Sequence, residues 1–214
     1  MQFFVGLTFR SNHLQYQKLD SFRSRFDDKF NRADHNQLTV VPPFEISHLS
    51  KHDYGQFIEA LTECMDNQLR DLDDIHLMLI EGIDFQNGEK QMLFLKPKLS
   101  LDLAYSLEAI NEVVKEYGGV AKQKLKLDKE NLDGTRNLFY PLGQFDQVDD
   151  LHNALEEAKN EFLLPFNLHL KEMALFERSE HQWLKRHLLF EFQKDQGGEW
   201  NEDFNLFQNG ERRR

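Results

Sequence analysis

The ten residues Gln37-Leu38-Thr39-Val40-Val41-Pro42-Pro43-Phe44-Glu45-Ile46 decide the reading of this chain. Gln37 to Val41 is a strand with β-branched residues at its centre, and Pro42-Pro43 stops it because proline cannot donate to a ladder. Before it stands another strand, Phe3 to Phe9, with Phe3, Val5, Leu7 and Phe9 pointing one way. Between the two, Leu19, Phe22, Phe26 and Phe30 recur at helical spacing. After Pro43 come a helix from about Tyr54 to Leu69 and a strand Ile75 to Ile80. Asn87-Gly88 is a hairpin turn leading to a strand Gln91 to Lys96. A third helix carries Leu103, Leu107, Ile110, Val114 and Tyr117 and ends at Gly118-Gly119.

The second half repeats the order. Leu138 to Gly143 is a short apolar strand, and Val148, Leu151, Leu155, Ala158 and Phe162 line a helix. Phe166 to Phe176 and His187 to Phe192 close as two strands. Strand, helix, hairpin thus occurs from Gln37 to Lys96 and again from Leu138 to Phe192, a repeat of pattern without sequence identity. Such a chain is α+β, with two similar lobes of antiparallel sheet covered by helices and a cleft between them. The polar stretch Lys122 to Asn137, with its Asp133-Gly134, reads as a loop between lobes. Residues 1–195 form one bilobal domain and 196–214 a polar tail.

Composition limits the partners. Acids outnumber bases 37 to 26, for a formal charge of −11. Binding to extended nucleic acid draws on a basic face, so this balance favours a small anionic ligand or a protein partner instead. The 19 phenylalanines mostly follow helix and strand periods and read as core. Cys64 is the single cysteine, so no internal disulfide forms, and its neighbours Leu61 and Met65 mark a packed helix face. Neither a signal peptide nor a bilayer-spanning run is evident, so the expected compartment is the cytoplasm.

The motif stretches resemble those of the 2H phosphoesterases, the 2′-5′ RNA ligase-like and cyclic phosphodiesterase-like proteins. In that family a first strand reads His-x-Thr-hydrophobic and in one branch runs on into Pro-Pro-Phe-Glu, as Thr39 to Glu45 does here. Phe139-Tyr140-Pro141-Leu142-Gly143 stands where the family carries a second His-x-Thr-Leu-Gly before a helix. The resemblance implies a bilobal fold whose two histidines act as acid and base on a 2′,3′-cyclic or 2′-5′ phosphodiester. Its threonines hold phosphate oxygens. Carried over, Gln37 takes the first histidine position, Thr39 keeps its threonine, Phe139 takes the second histidine position and Pro141 replaces the second threonine.

A carboxamide and a phenyl ring cannot exchange protons near neutral pH, and each lost acid or base costs on the order of 10²–10⁴-fold in rate. The motif therefore implies a pseudoenzyme that binds without turnover. Gln37 and Thr39 would bond a nucleotide, cyclic nucleotide or RNA end, with Phe139 and Tyr140 as a stacking surface. Two alternatives stand beside this. One is a protein-interaction scaffold with a closed pocket, in which Phe139 and Pro141 are plain core. The other is a weak phosphodiesterase that uses histidines outside the motif, His35 or His169. His35 shares the face of Gln37 and Thr39 if the strand begins early; otherwise it is an exposed loop histidine. His169 and Lys171 alternate against Leu168 and Leu170, as cleft-lining groups or as the solvated face of an edge strand. His181, Arg186 and His187 lie at or after a turn. No metal-ligand spacing, Gly-rich phosphate loop or nucleophile elbow occurs, and Asp71-Asp73-Asp74 lacks the glycine and glutamate of a calcium loop. No cofactor is implied.

Overall fold

The computed structural model describes residues 1–26, 37–46, 50–71, 77–86, 91–121, 138–179 and 182–192. Within them lie β1 (Gln2–Phe9), α1 (Leu14–Phe26), β2 (Gln37–Glu45), α2 (Lys51–Leu69), β3 (Leu77–Gln86) and β4 (Gln91–Lys98). They continue with α3 (Leu101–Glu116), β5 (Val120–Ala121), β6 (Tyr140–Phe145), α4 (Val148–Glu161), β7 (Phe166–Ser179) and β8 (Gln182–Glu191). The protein is α+β, and its strands join in one antiparallel array, β5-β2-β1-β7-β3-β4-β6, with β8 also on β7. No described helix is long and apolar enough to cross a membrane.

β7 organises this sheet. Along one edge it pairs with β1, from Phe9↔Leu170 to Phe3↔Glu177. Along the other, Phe166 to His169 pair with β3 and Glu172 to Ser179 pair with β8. The two repeats therefore exchange hairpins. β7–β8 joins the part of the sheet that holds β2, and β3–β4 joins β6. The helices follow the exchange, with α2 against β8 and α4 against β3 and β4. His169 and Lys171 thus sit on a strand paired along both edges, not on an edge strand.

The helices cover one face. Phe3, Val5, Leu7 and Phe9 of β1 share a single buried cluster with Leu38 and Val40 of β2, Leu93 and Leu95 of β4, Tyr140 and Leu142 of β6, and Leu168 and Leu170 of β7. Phe22 of α1, Phe57 of α2, Leu107 of α3 and Leu151 of α4 fill it from the helical side. Alternation leaves the other half of each strand on the opposite face. Local signals fix the helix starts: the Ser50 hydroxyl accepts from Asp53 N–H and the Ser100 hydroxyl from Leu103 N–H. α3 stops where Gly118 takes a φ of 73°. Cys64 packs against the core, and burial pushes its thiol up, as the packing reading requires.

Pro42-Pro43 does not end β2, which runs on to Glu45. The register passes from Val5↔Val41 directly to Phe3↔Phe44, so both prolines lie opposite Phe4 in a bulge. A bulge tolerates missing N–H donors, which is why prolines read as a stop can sit inside a strand. The late strands are also longer than their apolar runs. Arg186 and His187 lie inside β8, where the Tyr54 hydroxyl and His187 Nε2 are 2.9 Å apart and pin α2 to the strand. His35, His181, the Asn87-Gly88 turn, the Lys122–Asn137 stretch and the tail from residue 196 lie outside the described residues.

Candidate functional site on the helix-free sheet face

Gln37 and Thr39 emerge on the face away from the helices, since Leu38 and Val40 between them are buried in the core. The register extends this face across the sheet. Gln37 lies opposite Thr8, and Thr39 opposite Gly6. Thr8 lies in turn opposite Glu172, Gly6 opposite Ala174, and Phe4 opposite Phe176.

The second motif reaches the same face from the far side. Tyr140 and Leu142 point into the core, while Phe139 is 42% exposed and Pro141 lies opposite Phe94. The Phe139 and Phe94 rings meet edge to face at 4.4 Å. Both motif stretches are therefore on one sheet face, five strand spacings apart. That is about 24 Å measured along a flat sheet, and twist shortens the straight line.

Tyr140 is not available to a ligand. It is 1% exposed, under α1, with its hydroxyl 3.4 Å from Arg23 Nη1. Burial pushes the Tyr140 hydroxyl well above its ordinary range, and Tyr16 beside it is raised for the same reason. Alternation gives Phe139 and Tyr140 opposite faces, so only Phe139 can serve as a stacking ring. The same exposure removes Phe139 from the plain core that the closed-pocket alternative required of it.

Between the motif stretches the face is built from two parts. One is apolar: Phe4 and Phe176 stack at 4.7 Å and 4°, and Trp183 meets Phe4 edge-on. Gly6 makes room for this, because a Cβ there would come within 3.0 Å of the Phe4 ring and 3.1 Å of Phe176.

The other part is polar and centres on Glu172, only 8% exposed. Thr8 Oγ1 donates to its Oε1 at 3.3 Å, and Lys185 Nζ lies 2.7 Å from the same oxygen. Lys171 Nζ is at 4.0 Å. A bulge between Thr8↔Glu172 and Phe9↔Leu170 leaves Lys171 without an opposite residue. Because Leu170 and Met173 both face the core, Lys171 and Glu172 both turn outward. His169, two residues earlier, shares their face and stacks on His13 at 3.7 Å and 9°.

The sequence reading missed Thr8, Glu172 and His13. Each sits far along the chain from its partner, and pairing across the sheet is not written in local spacing. Among the described residues no cluster of metal-ligating groups occurs. Compared with known proteins, the chain matches no family model and no curated protein.

Proposed function

We propose that the chain is a catalytically silent relative of the 2H phosphoesterases that binds a nucleotide, a cyclic nucleotide or an RNA end on the helix-free face. In this reading the sheet with α2 and α3 is one lobe, the sheet with α1 and α4 the other, and the face between them a cleft. The observation that supports it best is the emergence of Gln37 and Thr39, and of Phe139 and Pro141, on one face of one sheet. Thr39 offers a hydroxyl, Gln37 a neutral amide that donates and accepts, and Phe139 an exposed ring for a base. Neither Gln37 nor Phe139 can move a proton, so binding without turnover is the chemistry these groups allow.

The rival reading, a protein-interaction face, draws on Glu172. A carboxylate in the row of Thr8 and Gln37 disfavours a phosphate placed directly on it. Calorimetry with a panel of mono- and dinucleotides separates the two. The nucleotide reading expects a saturable isotherm for at least one of them, weakened by Thr39→Val. Absence of binding across the panel, or an isotherm indifferent to Thr39→Val, favours the protein-partner reading.

A further inference from the structure

We propose that Glu172 and Thr8 form a ribose subsite, which takes the two vicinal hydroxyls of a nucleotide with a free 2′,3′-diol. This rests on the nucleotide reading and narrows it, from any nucleotide to those whose diol is neither removed nor esterified.

The pairing of β1 with β7 builds the subsite, because Thr8 and Glu172 lie opposite one another on the helix-free face. Glu172 is more than nine-tenths buried, and a carboxylate so far out of water needs partners for its oxygens. Oε1 has them: Thr8 Oγ1 donates to it at 3.3 Å, and Lys185 Nζ lies at 2.7 Å. Those two donors fill its lone pairs. Oε2 bonds no described residue. It is not among the buried side-chain atoms sealed in without a partner either. It therefore reaches the surface of the face, as an acceptor left for a ligand.

Thr8 supplies a second acceptor. Its one hydroxyl proton is committed to Glu172, so toward a ligand Thr8 Oγ1 can only accept. The pair thus asks for two neighbouring hydrogen-bond donors, which a ribose diol and the N–H edge of guanine both offer. A guanine edge needs both carboxylate oxygens side by side, and Oε1 is already taken. Hydroxyls rotate independently, so one can donate to Oε2 and its neighbour to Thr8 Oγ1. Lys185 offsets the charge of the carboxylate, which suits a neutral donor better than a cation. The surroundings agree. Gln37 lies opposite Thr8, and Thr39 lies one same-face step further along β2, about 7 Å in the strand direction. A diol held at Glu172 leaves the phosphate to Thr39, and the anion stays off the carboxylate.

The test uses the full chain and calorimetry with adenosine, guanosine and cytidine 5′-monophosphates, each beside its 2′,3′-dideoxy form. Each ribonucleotide should bind at least about tenfold tighter than its dideoxy counterpart, because a hydroxyl on a carboxylate makes a charge-assisted bond. Glu172→Gln keeps the shape and, with its carbonyl oxygen toward Lys185, puts an NH₂ group where Oε2 stood. The preference for ribose should then collapse while the dideoxy affinity holds, whereas loss of the fold would lower both together. Thr8→Val should shrink the preference as well, and it decides the matter with the native comparison if Glu172→Gln does not fold. Equal binding of ribo and dideoxy forms by the native chain, or a preference that survives both substitutions, overturns the subsite and leaves the nucleotide reading standing. A preference confined to guanine and kept by its dideoxy form assigns the donors to the base edge and also overturns it. No binding by any of these nucleotides overturns the nucleotide reading and the subsite with it.

Discussion

Phe139 and Tyr140 are neighbours in sequence on opposite faces, and truncating each to alanine measures that difference directly. Tyr140 is 1% exposed and packed edge to face on Phe9 at 5.4 Å. Removing a buried aromatic of this kind costs about 3–5 kcal/mol, and here it also takes the hydroxyl away from the buried Arg23. Phe139 keeps 42% of its surface in water. The remaining burial is somewhat over half of the roughly 1.5–3 kcal/mol that a fully buried side chain contributes. Adding the edge-to-face contact with Phe94, at about 0.5–1.5 kcal/mol, Phe139→Ala should cost about 1.4–3.2 kcal/mol, less than Tyr140→Ala. Urea unfolding followed by far-UV circular dichroism gives both values if the m-value is unchanged. Equal losses for the two variants would mean that Phe139 is core and that the helix-free face ends before β6.

Three further outcomes are expected. Burial, aided by Arg186 and opposed by Glu177, holds the His187 imidazole below its ordinary value of 6.5. The folded state therefore binds this proton less readily than the unfolded chain, and stability rises with pH up to about 6.5 and is lost below it. His187→Gln should flatten that slope in a pH series of melting curves, and an unchanged slope would contradict the assignment. Ser50→Ala and Ser100→Ala should each cost about 1 kcal/mol, additively, because each removes one capping bond on a separate helix. Purified protein should not hydrolyse 2′,3′-cyclic nucleotides or 2′-5′ dinucleotides; turnover abolished by His169→Ala would revive the weak-phosphodiesterase alternative.

Much of the framework could be read from residue order. The alternation Leu38/Thr39/Val40 marks a strand with one dry face, and the helical spacing of Leu103, Leu107, Ile110 and Val114 marks α3. The strand-helix-hairpin repeat is also visible, but its consequence is not. Hairpin exchange depends on β7 pairing with β1, β3 and β8, and no local spacing records those partners. Pro42-Pro43 misleads because the bulge that accommodates them is set by β1. Tyr140 misleads because an aromatic beside a motif position looks like a site residue, whereas alternation sends it under α1. The His13–His169 stack joins residues at the beginning of α1 and in β7, so only the folded chain shows it.

On the proposed function, a small ligand would land on the helix-free face between the two motif stretches. Backbone amide shifts measured during titration with the tightest-binding nucleotide test it most directly. The perturbed amides are expected to cluster at Thr8, Gln37, Thr39, Phe139 and His169, with α2, α3 and α4 silent. Perturbations confined to the helices, or spread evenly over both faces, would contradict it.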